Sequence, residues 1–184
     1  IATSVITSWG PSFLLRKFDI SAGVVGLNLG LGVAVLGSVS VLFSGWMVNR
    51  IGLPRFSKSL RLVALLQIAG IGCLLLAILS TSFMVSVISL CVLFGLTNLY
   101  LPIQLATVQN HLPANMRATG AAVSSLVVVL VVQSAIPPLV GTLSDWLQPR
   151  FGVQSLGLSM LVVVPAILLS ALQYFRVAAL TDRS

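Results

Sequence analysis

The stretch from Leu62 to Leu79 contains no charged side chain, and it is one of six apolar runs that follow each other along the chain. A run of about 20 mostly apolar residues matches the hydrocarbon thickness of a bilayer. Read between charged or turn-rich breaks, the runs lie at about 1–15, 24–48, 62–79, 83–108, 116–143 and 156–175. Lipid offers no water to satisfy backbone groups, so each run is expected as a helix. The expected fold is therefore an all-α membrane protein, a six-transmembrane-helix bundle with the lipid bilayer as its surroundings. A soluble fold fails on composition. Of 184 residues, 58% are hydrophobic and 7% charged, with mean hydropathy +1.12. An ordinary soluble domain carries roughly 25% charged residues, and its wide surface needs polar cover.

The run from Ile1 to Leu15 is shorter than the roughly 17 to 25 residues of a spanning helix. No initiator Met and no basic segment precede it, so no cleavable signal peptide is read. The chain is expected to be an excised piece with residues missing in front.

Ten Lys+Arg against three Asp+Glu give a net charge of +7. The cations sort by loop. Arg50, Arg55, Lys58, Arg61, Arg117, Arg176 and Arg183 fall on one side, and Arg16, Lys17 and Arg150 on the other. Cations resist translocation, so the richer side is expected to be cytoplasmic, together with the C-terminus. That asymmetry accounts for the charge without nucleic acid, since no basic face interleaved with aromatics exists for bases to stack on. Cys73 and Cys91 lie inside apolar runs and read as small hydrophobes.

Polar residues are unevenly spread. The third and sixth runs carry little besides Gln67 and Ser159 and read as lipid-facing. The first carries Thr3, Ser4, Thr7 and Ser8, and the fourth carries Thr97, Asn98, Tyr100, Gln104 and Thr107. Thr97, Tyr100, Gln104, Thr107 and His111 recur at steps of three and four, which lines one helical face. Two readings stay open: the face lines a cavity, or it bonds neighbouring helices. In the second run Gly26, Gly30, Ala34 and Ser38 recur every four residues beside Gly23 and Gly37, a small-residue face that a second helix can approach closely. Pro102, Pro137, Pro138 and Pro165 are expected to kink their helices.

Between the second and third runs, Gly45, Asn49, Arg50 and Gly52 stand in the spacing Gly-x-x-x-Asn-Arg-x-Gly, followed by Leu53, Pro54 and Arg55. This resembles the cytoplasmic loop signature of the major facilitator superfamily, with Asn49 in place of the acid and Arg55 one position late. Arg117, Ala118 and Gly120 opening the fifth run, "PPLVGTLSDWL" from Pro137 and "WGPSFLLRKFDIS" from Trp9 extend the resemblance over nearly the whole chain. It is most like the C-terminal six-helix half of a twelve-helix transporter of the spinster-like or organic-anion symporter branches.

The resemblance implies a secondary active transporter that moves a small solute, an organic anion or amphipathic metabolite, by alternating access. It implies a partner in the missing N-terminal six-helix half, with the first, second, fourth and fifth spans around the central cavity. Thr7, Asn28, Thr97, Asn98, Tyr100, Gln104 and Gln133 are the solute-binding candidates. Gly45, Asn49, Arg50, Gly52 and Arg55 are the gating-loop candidates. A multi-pass protein of a bacterial inner or plasma membrane is expected, with neither cofactor nor metal.

An enzyme would need a nucleophile with a base, paired aspartates or metal ligands. The chain offers the single histidine His111, and Asp19, Asp145 and Asp182 lie at span ends or in a tail. A channel would need charged or carbonyl rings along a pore. A non-transporting scaffold or receptor is the alternative that the residues leave open.

Overall fold

The computed structural model describes residues 1–51, 56–102, 104–105 and 112–181. Among them every regular element is helical. The order is α1 (Ala2–Phe18), α2 (Ala22–Ile51), α3 (Phe56–Leu79) and α4 (Phe83–Asn98). A short 3-10 turn (Ala114–Met116) then leads into α5 (Arg117–Val127), a π-helical segment (Val128–Gln133) and α6 (Ser134–Phe151). The chain ends in α7 (Ser155–Met160) and α8 (Val163–Thr181).

Four stretches are long and apolar enough to cross a bilayer: Ala22–Met47, Leu60–Leu79, Phe83–Pro102 and Ala114–Ala179. The last holds 66 residues and runs through several elements. Helix α1, with 17 residues, is at the short limit of a span. The chain is thus an integral membrane protein by its helices.

The prolines act one turn upstream of themselves. A proline has no N–H for the carbonyl four residues back, and its ring presses on that carbonyl. Accordingly α4, expected to run on to 108, stops at Asn98, four residues before Pro102, and helix resumes at 100–102. The run 156–175 breaks likewise at Leu161, four residues before Pro165. There the backbone tightens into i→i−3 bonds, Leu161 N–H to Leu158 O at 3.0 Å and Val164 N–H to Leu161 O at 2.9 Å. Pro137 and Pro138 cannot donate to Gln133 and Ser134, and the helix widens into its π segment at that point. The Ser134 hydroxyl donates to Val129 O at 3.2 Å.

Helix α4 lies between α2 and α3, α3 runs along α8, and α1 crosses α4. Two apolar clusters result. The larger joins Ile6, Phe13 and Leu14 of α1 to Leu74, Leu90, Leu93, Leu156 and Met160. The smaller, at the opposite end, joins Met47, Leu60, Val63, Leu99 and Ala178. The second cluster brings the ends bearing Arg50, Lys58, Arg61 and Arg176 together.

Contact between α2 and α4 depends on small residues, though not on the set the four-residue spacing suggests. A Cβ at Gly95 would sit 2.7 Å from Ser40 Oγ and 3.3 Å from the Leu36 carbonyl, so only glycine permits this approach. Gly37 likewise receives the Phe94 ring. Gly23, Gly26 and Gly30 have nothing within 4 Å. Within the described residues α4 therefore meets α2 along Gly37 and Ser40, beside the line of Gly26 and Gly30.

At the end of the larger cluster, Asp19 in the left-handed region (φ 49°) closes α1, its N–H bonding Leu15 O. Lys17 Nζ donates to Ala77 O at 3.0 Å and Ile78 O at 2.7 Å, the last carbonyls of α3, a favourable place for a cation. Phe13 and Phe18 flank the ammonium at 5.3 and 5.1 Å.

Candidate solute cavity

A cavity of about 410 Å³ opens beside the smaller cluster. From α4 and the turn beyond it come Thr97, Tyr100 and Gln104, the helical face that the sequence spacing picked out. The start of α1 contributes Thr3, and α3 contributes Gln67. Helix α8 adds Ser170, Gln173 and Tyr174, while Val128 and Val132 of the π segment form an apolar wall. Wide π turns commonly sit at functional places, since they re-aim the side chains after them.

Hydrogen bonds fix part of this lining. The Thr97 hydroxyl lies 3.0 Å from the carbonyls of Leu93 and Phe94, to which it can donate, and 3.4 Å from the Thr3 hydroxyl. Gln67 is 5% exposed, and its Oε1 has no hydrogen-bond partner among the described residues. A buried amide oxygen left unpaired costs about 1 to 3 kcal/mol.

The other sequence candidates lie elsewhere. Thr7 is exposed, and its hydroxyl lies within reach of Thr3 O (3.0 Å) and Ser4 O (3.1 Å). Asn28 donates to Val24 O at 2.8 Å, and Asn98, though buried, donates to Phe94 O at 2.7 Å. Asn98 lines a separate shallow groove with Ser38 and Phe94. Gln133 is exposed at the end of the π segment. Thr107 and His111 lie outside the described residues.

Sequence reasoning missed Gln67, Gln173 and Tyr174 because it read the third and sixth runs as lipid-facing. Both helices do expose apolar residues, Leu65 and Ile68 on α3 and Leu168 and Leu169 on α8, and each also turns a polar face onto the cavity. The available signal was Gln67 itself, a lone carboxamide inside hydrocarbon that calls for a partner or water.

Of the gating-loop candidates, Gly52 and Arg55 lie outside the described residues, as does the side chain of Asn49. Gly45 is helical within α2 and has open space at its Cβ position. Arg50 ends α2 with its guanidinium carbon 5.2 Å above Trp46, which stacks on Phe43 at 6.0 Å. Arg117 Nε donates to Leu112 O at 3.2 Å at the start of α5. Among the described residues, no group of three or more His, Cys, Asp or Glu could hold a metal.

The chain is 30% identical over 175 residues to an MFS-type efflux pump of Mycolicibacterium smegmatis. The match takes in 95% of this chain and 41% of the pump, so the chain spans about two fifths of that relative's length. No protein-family model and no solved structure matches the chain. The likeness is thus to part of a transport protein of the MFS type, and the apolar helices place this chain in a membrane.

Proposed function

We propose that the chain is the C-terminal six-span half of an MFS transporter, which moves a small solute across a bacterial membrane by alternating access with an N-terminal half. Export is the direction suggested by the relative, named as an efflux pump. The observation that carries the reading is the cavity. In a bundle with mean hydropathies of 2.0 to 2.7 along its crossing stretches, polar side chains from α1, α3, α4 and α8 converge on one space. Such convergence is costly in hydrocarbon and marks a solute path by default.

Transport is tested with proteoliposomes holding the full-length protein and incubated with a bacterial metabolite extract. Mass spectrometry should find at least one small solute taken up. Tyr100→Leu and Gln104→Leu should each weaken its apparent affinity by about 1 to 3 kcal/mol, the value of a lost hydrogen bond in a buried site. Uptake of nothing above empty liposomes would favour a scaffold or receptor.

The cation-rich end is taken as cytoplasmic. Ser57 is 7% exposed and would label poorly, whereas Lys58 and Gln154 are exposed. In a background lacking Cys73 and Cys91, an impermeant thiol reagent outside the cell should label Gln154→Cys and spare Lys58→Cys. The reverse pattern would invert the topology.

A further inference from the structure

We propose that the cavity takes an uncharged, hydroxyl-bearing solute with an apolar flank, and that the Gln67 carboxamide is the residue that selects for the hydroxyl. The inference rests on the transport reading above and narrows the solute class.

Two independent observations meet here. The first is Gln67: 95% of it is buried, it lines the cavity, and its Oε1 lacks a partner among the described residues. A buried acceptor of this kind is completed by a donor, and a solute can bring one. An alcohol suits the place because its oxygen donates and accepts at once, so it also answers the carboxamide in its flipped orientation. The second is the composition of the walls. Among the described residues, every polar side chain on the cavity is an amide, a phenol or an aliphatic hydroxyl, and none is charged. A carboxylate or ammonium held against these residues would be desolvated with none of them offering an opposite charge. Val128, Val132 and Ile167 supply the surface for an apolar portion. Of the two solute classes expected from sequence, an organic anion and an amphipathic metabolite, the walls fit an uncharged member of the second.

The position of Gln67 separates recognition from packing. Were its carboxamide a tie between helices, the oxygen would have a protein partner, as the Ser44 hydroxyl has in Leu99 O. It has none among the described residues, so removing that oxygen strips no protein donor of its acceptor there.

The test uses the full-length protein in lipid nanodiscs and a matched pair of probes, tritiated phenyl β-glucoside and phenyl β-glucuronide. They differ by a hydroxymethyl group against a carboxylate. Saturable glucoside binding is expected, with glucuronide at least tenfold weaker. Gln67→Leu should weaken glucoside binding at least tenfold while its thermal midpoint stays level or rises. Equal binding of both probes, parental affinity in Gln67→Leu, or a lowered midpoint in that variant would each overturn the proposal, as would the absence of saturable glucoside binding. The transport reading is scored separately. If glucoside fails to bind but Tyr100→Leu and Gln104→Leu still depress metabolite uptake, the solute class falls and the transporter stands. If glucoside binds as expected and those variants leave uptake unchanged, the site stands and its place in transport falls.

Discussion

The most apolar 18 residues within Ala22–Met47 of α2 and within Phe83–Pro102 of α4 have the same mean hydropathy, 2.0. Yet 56% of the α4 stretch is buried within the protein, against 11% of α2. Hydropathy therefore reports that a segment leaves water and is silent on what it meets instead. The difference lies in the side chains between the apolar ones. Helix α4 buries Ser86, Ser89, Thr97 and Asn98, and Ser86, Thr97 and Asn98 bond to backbone carbonyls, so it can sit among neighbours without stranding a polar group. Helix α2 shows Leu27, Leu31, Val35, Leu42 and Trp46 on its outer faces, surface suited to lipid or to another apolar partner.

The comparison breaks most directly at the glycines. Gly95→Val places branched carbons against Ser40 and the Leu36 carbonyl, and should destabilise the bundle by about 1 to 3 kcal/mol, the usual range for overpacking. Gly30→Val meets open space and should stay within about 0.5 kcal/mol, as surface changes do. Unfolding in mixed micelles with increasing SDS measures both. Equal losses would mean that α2 packs through its small-residue stripe after all.

A smaller effect sharpens the tie between the two helices. The buried Ser44 hydroxyl of α2 donates to Leu99 O at 2.5 Å, just where α4 breaks. Ser44→Ala should cost about 1 kcal/mol in the same titration, the scale of interhelical hydrogen bonds in membranes. No change would show that Leu99 finds another donor once Ser44 is gone.

The smallest effect is expected at the end of α2. We propose that this end gates the cation-rich side, with Asn49 standing where the resembled loop signature has an acid. Asn49→Asp should favour closure by at most about 1 kcal/mol, as a helix-end charge does. Arg50→Ala should oppose it. Thiol labelling of Lys58→Cys in inside-out vesicles should slow in the first variant and quicken in the second. Parental rates in both would leave the cations with a topological role alone.

What could be read from sequence follows from what is local. Apolar runs gave helices, and steps of three and four placed Thr97, Tyr100 and Gln104 on one face, which the structure turns onto the cavity. The breaks at Leu99 and Leu161 were legible in part, since Pro102 and Pro165 announce a disturbance while its place, one turn earlier, is set by the missing N–H. Partner choice was not legible. Gln67 and Gln173 looked peripheral because each stands nearly alone in its own helix, and only the packing of α3 along α8 beside α4 brings them to one space. The same holds for α2, whose obvious glycines stay open while Gly37 meets Phe94.

Lys17, counted at first as one cation in a topological sum, fastens the end of the bundle away from Arg50, Lys58 and Arg61. Its ammonium is spent on the last carbonyls of α3 while its stem and flanking rings belong to α1. Thr3 and Gln67 of the same two helices share the wall of the cavity. The Lys17 tie therefore joins, at one end, two helices that together line a polar space further along the bundle.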